Sequence, residues 1–166
     1  MESKILLESG TNELELLEFM VGSNSFGINI AKVNEVMFYH ELTPIPESAP
    51  EVEGVFIPRD KLISVVDLHK VVKAPMPEGS QGMFIICQFN RMDIGFHVSS
   101  VKGIQRISWS DISKPPSVVT GDGMSLASGM ATGIAKVNGR IIVILDFEKI
   151  VADLHHGAAL DSDGID

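Results

Sequence analysis

The chain has 166 residues, 45% of them hydrophobic and 21% charged, which supplies enough apolar material for a buried core and excludes a disordered polymer. Thirteen Lys and Arg stand against 22 Asp and Glu, a net charge of -9 that opposes nucleic-acid phosphates and anionic lipid surfaces, and no apolar run approaches the roughly 20 residues of a membrane helix. Cys87 is the single cysteine and cannot form an intrachain disulfide, and the opening ten residues lack the basic start and apolar stretch of a secretory signal. A cytoplasmic protein is expected, with no nucleic-acid partner and no membrane insertion.

Thirty-four residues are Ile or Val, whose stiff β-branched side chains favour extended backbone, so strands are expected to dominate. From Leu14 to Val21 the pattern alternates, with Leu17, Phe19 and Val21 on one face and Glu18 on the other. After the turn signal Gly22-Ser23-Asn24 a second strand is expected from Ser25 to Ile30, making a hairpin. From Ala31 to Phe38 the apolar positions are Val33, Val36 and Met37, the interval of a short helix, which Pro44 and Pro46 stop. Two further strands, Glu53 to Ile57 and Lys61 to Asp67, are expected around the turn Pro58-Arg59-Asp60. A brief helix from Leu68 to Val72 follows, then a linker with Pro75 and Pro77.

This order occurs twice. Phe26-Gly27-Ile28-Asn29-Ile30 and Val33 to Val36 match Ile94-Gly95-Phe96-His97-Val98 and Val101 to Ile104 at an offset of 68. Gly54-Val55, Leu62, Asp67 and Leu68 match Gly133-Ile134, Ile141, Asp146 and Phe147 at an offset of 79. The 11 extra residues fall between Ile104 and Gly133, an interval holding Lys114-Pro115-Pro116 and Gly121-Asp122-Gly123, and are expected to form a long loop. Halves over about 14–74 and 82–154 are each too small to bury a stable core alone. They are expected to share an apolar seam within one module over 14–154, between an N-terminal extension (1–13) and an acidic tail or linker (155–166).

Catalytic patterns are sparse, and no catalytic residue, cofactor or metal site is expected. His40, His69 and His97 lie 29 and 28 residues apart, His155-His156 sits in the polar tail, and none shows ligand spacing. Asp67 and Asp146, each after an apolar strand and before a helix, read as helix caps rather than as an acid–base pair. His69 reads as a structural histidine, and Gly121-Asp122-Gly123 lacks the Lys-Ser/Thr of a phosphate loop. Cys87, among Ile85, Ile86 and Phe89, reads as buried filler. Trp109, the single tryptophan, reads as an anchor for the inserted loop or, alternatively, as a partner-binding ring.

Leu17-Glu18-Phe19, Phe26-Gly27-Ile28-Asn29-Ile30, Lys32-Val33, Glu35-Val36, Gly54-Val55-Phe56-Ile57-Pro58-Arg59 and Ile63-Ser64-Val65-Val66-Asp67-Leu68, with Gly133 to Asp146, resemble the CheW family of bacterial chemotaxis coupling proteins. The segments from Leu6 to Glu15 and from Arg106 to Ile112 look like the amino-terminal coupling domain of CheV. The resemblance implies an all-β fold of two intertwined five-stranded SH3-like barrels with short helices. It implies a non-enzymatic adaptor that couples chemoreceptor cytoplasmic tips to the regulatory domain of a histidine autokinase, modulates its activity, and is recruited to membrane-associated receptor arrays. CheV-like proteins carry a phosphorylatable receiver domain after the coupling module. The tail after Leu154 is too short for one, so the expectation is either a longer parent protein that carries a receiver or a natural protein that lacks it.

The same resemblance places the receptor contact at Arg59, with Val33, Glu35 and Val36 beside it. Here the family's Asn-Leu-Arg-Gly turn reads Ile57-Pro58-Arg59-Asp60. The alternatives are a solvated turn arginine, a solvated Glu35, and core anchors at Val33 and Val36. Kinase contacts fall on Tyr39, Glu41 and Thr43, against the alternative that the Tyr39 ring caps one end of the first half. The rival function is a small-molecule sensor or small enzyme using a cleft between the halves.

Overall fold

Alternation in the first segment yields strands β1 (Glu13–Val21) and β2 (Asn24–Asn29), paired as a hairpin with Phe19 opposite Phe26. The computed structural model describes residues 12–114 and 129–154. The helix expected from Ala31 to Phe38 is reduced to a 3-10 turn, Ile30–Lys32, capped by the Asn29 side chain accepting the Ala31 N–H at 3.0 Å. The remainder is strand β3 (Val33–Phe38). The helical interval has another cause. Against the neighbouring strand, Val33 pairs with Cys87 and Glu35 with the adjacent Ile86, so one bulged residue shifts the inward phase and places Val33 and Val36 against the same core.

Strands β4 (Val52–Phe56) and β5 (Ile63–Asp67) flank the Arg59 turn, and α1 (Leu68–Val72) follows directly. The second copy supplies β6 (Met83–Phe89), β7 (Met92–Val98), β8 (Ser100–Ser108), a 3-10 turn at Trp109–Asp111, β9 (Ile112–Ser113), β10 (Ala131–Val137), β11 (Arg140–Leu145) and α2 (147–154). Residues 115–128 of the inserted interval, including Gly121-Asp122-Gly123, lie outside the described residues.

Pairing crosses the repeat. One sheet has the order β8-β1-β2-β11-β10-β9 and the other β3-β6-β7-β5-β4, so each copy's first hairpin sits among the other copy's strands. The registers obey both sequence offsets. Phe26 and Gly27 lie opposite Val143 and Ile144 in one parallel pair, and their equivalents Ile94 and Gly95 lie opposite Ser64 and Val65 in the other. The seam between the sheets is filled from both copies: Leu17, Phe19, Ile28 and Leu68 meet Ile85, Cys87, Phe96 and Phe147. Each sheet also curls over a smaller core, Leu16, Ile107, Ala135, Ile142 and Ile144 in one, Phe84, Ile86, Ile63 and Val65 in the other.

The two closed five-stranded barrels expected from the family do not form. The sheets have six and five strands, neither closes on itself, and with α1 and α2 the architecture is mixed α/β rather than all-β. Closing the second sheet would require β3 to pair with β4. The connector between them carries Pro44, Pro46 and Pro50, which lack N–H donors, and reaches β4 only through one bridge, Thr43 to Val55. In the first sheet the terminal strand β9 is two residues long.

One buried charge separates the copies. Glu18 is 0% exposed and accepts hydrogen bonds from Arg140 and, at 3.1 Å, from Gln105, whereas its repeat equivalent is the apolar Ile86. Burial pushes the Glu18 carboxyl upward in pKa, but the bond and charge of Arg140 together with hydrogen bonds from Ser25 and Gln105 outweigh it and leave it below the usual range. A folded-state pKa below the unfolded one means that its stabilisation is present above the unfolded value and is lost as pH falls. Arg140→Met should reverse that sign, because an unpaired buried carboxylate gains stability on protonation. Urea midpoints taken from about pH 7 to about pH 5 check this: the variant should strengthen relative to wild type on acidification, and a parallel loss in both proteins contradicts the assignment.

Candidate partner-binding surface

The turn between β4 and β5 is built by Pro58, which presets the backbone, and Asp60, which takes a left-handed conformation at φ 65°. It projects Arg59, whose side chain is 71% exposed and whose Nη2 donates to Glu35 Oε1 at 2.6 Å. The β3 bulge therefore brings Glu35 and Arg59 together from positions 24 residues apart, beside a depression of about 120 Å³ that also includes Asn34, Lys61, Ile86 and Asp93. Val33 and Val36 are half-buried against the main core.

An ion pair this exposed contributes at most about 1 kcal/mol to folding. Its repeat equivalents, Gly103 and Asn138, cannot form it, so the matching corner of the other sheet is built without such a pair. Two aliphatic side chains flank the turn, Ile57 at 63% and Leu62 at 60% exposure. A groove of about 620 Å³ continues from Leu62 past Lys61, Asp93, Met92 and Leu154, with Lys61 and Asp93 joined at 3.3 Å. Ile57, Leu62, Met92 and the Lys61–Asp93 pair were not legible as surface, because in sequence they continue the apolar and charged pattern of strands.

Tyr39, Glu41 and Thr43 do not form one cluster. The Tyr39 ring packs edge-on to Phe84 and tilted on His97, at centroid distances of 5.5 and 5.3 Å, so it covers the end of the second sheet's core. Glu41 is exposed, and Thr43 exchanges both backbone hydrogen bonds with Val55 at 2.9 Å. Trp109 is 43% exposed and donates its backbone N–H to Asn12 O at 3.1 Å, while its ring lines a 300 Å³ hollow with Leu14, Phe89 and Phe147.

A second group of polar residues is buried behind this surface. Asp67 caps α1, accepting the His69 N–H at 3.0 Å, and Asp146 Oδ1 accepts the Lys149 N–H at 3.1 Å, so both repeat-equivalent aspartates act as caps. Asp67 Oδ1 also meets His69 Nδ1 at 2.8 Å, and His69 Nε2 meets Ser99 Oγ at 2.6 Å. This order resembles an acid–base–nucleophile relay. Ser99, however, is 7% exposed, its Oγ accepts the Gly22 N–H at 2.9 Å, and its own N–H bonds Met20 O at 2.8 Å. No substrate reaches it; the relay ties the β1–β2 turn to α1 and the β7–β8 junction.

Next to it, His97 Nδ1 lies 2.7 Å from Glu53 Oε1 and Nε2 lies 2.7 Å from Gln81 O. Burial pushes the His97 pKa down, but the Glu53 carboxylate and the Gln81 carbonyl reverse this and raise it; burial pushes Asp67 up, and the bonds and charge of His69 bring it below its usual range. The sequence hid this group because its members come from β4, β5, α1, β7 and the residues beside β6 and β8.

Cys87 is 0% exposed in the seam, as expected of filler, and burial pushes its thiol pKa up to about 12. Thiol titration with a disulfide reagent at neutral pH should find it silent in the folded protein and one equivalent only in denaturant; labelling of the native chain at a free-thiol rate contradicts this. The centre of the seam is packed with side chains, Phe96 and Phe147 lying 4.0 Å apart between ring centres.

No helix among the described residues is long and apolar enough to cross a membrane. A family profile described as CheW-like domain matches residues 15–155. The chain is similar to chemotaxis protein CheW of Treponema pallidum, 27% identical over 143 residues that cover 83% of this chain and 82% of that protein. It is similar at a comparable level to chemotaxis protein CheV3 of Helicobacter pylori, 32% identical over 155 residues, 86% of this chain but 49% of that protein. The crystal structure of the scaffolding protein TtCheW from Thermoanaerobacter tengcongensis superposes with a TM-score of 0.70 at 28% identity, covering 80% of this chain and 88% of that one. The chain belongs to the CheW-like family of non-enzymatic chemotaxis coupling adaptors, whose members link chemoreceptors and histidine kinases.

Proposed function

We propose that this domain, residues 14–154, binds chemoreceptor cytoplasmic tips through Arg59 and Glu35, with Val33 and Val36 supporting the strand that carries Glu35. The observation behind this reading is an exposed ion pair that contributes little to folding, set between two exposed aliphatic side chains and absent from the equivalent corner of the other sheet. A guanidinium there supplies directed donors for partner carboxylates or carbonyls, and the aliphatics supply apolar contact around it. The segment carrying Tyr39, Glu41 and Thr43 is the proposed seat of the kinase regulatory domain, with exposed Glu41 as its polar contact. The protein works in the cytoplasm, recruited to receptor arrays, and a receiver domain in a longer parent would add regulation.

Holding receptor and kinase on one rigid module raises the effective concentration of each for the other and biases the kinase between its states. Arg59→Ala should weaken capture by receptor tips about tenfold, with an unchanged melting temperature and unchanged kinase binding. Equal receptor affinity in the variant removes Arg59 from the interface, and failure of the wild-type domain to form a ternary complex removes the adaptor reading of these residues.

A further inference from the structure

Glu53 on β4, Asp67 at the end of β5 and His97 on β7 present one ligand atom each within 4.8 Å of one another. We propose that these three residues form a binding site for a divalent transition metal, Zn2+ by the chemistry of the donors. A mixed set of one imidazole nitrogen and two carboxylate oxygens suits this ion, which takes bonds of about 2.0–2.2 Å and accepts water in its remaining position. Closing the atoms onto an ion requires side-chain shifts of roughly 1 Å, which the partial exposure of Glu53 permits.

The orientation of the ligands supports this more than their proximity does. Gln81 O lies 2.7 Å from His97 Nε2 and accepts its N–H, the outer hydrogen bond that fixes a metal-bound imidazole and turns the other nitrogen's lone pair toward the ion. That nitrogen, Nδ1, lies 2.7 Å from Glu53 Oε1, so two of the three ligand groups already face each other. Asp67 is held in turn by His69, which is itself held by Ser99. At the equivalent corner of the other sheet the positions are Thr132, Asp146 and Asn29, so the fold keeps the capping aspartate without the other two donors.

Such an ion would pin the edge strand β4, whose far end leads into the Arg59 turn, to β7 in the middle of the sheet. Chelator-treated protein titrated with ZnCl2 should bind one equivalent by calorimetry and gain thermal stability. Glu53→Gln, which preserves shape and hydrogen bonding to His97, should weaken binding at least about tenfold, and His97→Gln at least as much, with folding of each verified by circular dichroism. Replacing the tail pair, His155→Ala with His156→Ala, should leave the affinity unchanged. No saturable binding by about 100 μM Zn2+, or binding that survives Glu53→Gln and disappears with the tail histidines, overturns the site.

Discussion

Phe96→Ala is expected to destabilise the domain by about 3–5 kcal/mol, a large part of the 5–15 kcal/mol typical of a whole domain. Phe96 is 0% exposed at the centre of the seam, 4.0 Å between ring centres from Phe147 on α2 and 6.3 Å from Phe89 on β6. Its strand β7 belongs to the second copy but lies beside β5 of the first, with Phe96 opposite Val66. The cavity left by truncation would therefore be walled by elements of both copies. β5 and β7 are fixed to one another by their hydrogen-bonded ladder, which limits collapse of that wall and puts the cost at the upper end for such a change. Phe38→Ala serves as the control: its ring is 76% exposed, and its loss should change stability by less than about 0.5 kcal/mol. Urea denaturation of both variants checks the pair, and a cost for Phe96 no larger than that for Phe38 contradicts a seam packed from both copies.

The parts legible in the sequence were those that local physics decides. Alternation around Leu17, Phe19 and Val21 identified β1, and the step from Val66 through Asp67 to Leu68 identified both the end of β5 and the cap of α1. β3 was misread because a bulge imitates the apolar interval of a helix. The offsets established which residues are equivalent, and the registers obey them, but an offset says nothing about which strands become neighbours. Partner choice depends on the exchange of hairpins between copies, a long-range packing outcome. The closed barrels came from family resemblance, and the proline-rich connector together with the short β9 explains why these sheets stay open. The site divides in the same way. Arg59 was visible as a turn residue, whereas its bond to Glu35, the Lys61–Asp93 pair and the His69 and His97 cluster join positions that no spacing rule connects.

Charge reversal at the surface pair tests the receptor reading most sharply. Arg59→Glu places a second carboxylate beside Glu35 and inverts the charge that a partner meets, and receptor-tip affinity should fall about 100-fold or more, since like-charge contact costs several kcal/mol. The double variant, Arg59→Glu with Glu35→Arg, rebuilds an ion pair within the domain but offers it in the opposite sense. If the pair serves only to hold β3 to the β4–β5 turn, the double variant should regain wild-type affinity. If Arg59 contacts the receptor directly, the fold will be intact and the affinity will stay low. We expect the second outcome, because the pair is too exposed to contribute much to folding and because the groove beside it carries its own bond, Lys61 to Asp93, to fix the turn. Full recovery of receptor binding in the double variant would falsify direct recognition by Arg59 and move the contact to the flanking side chains Ile57 and Leu62.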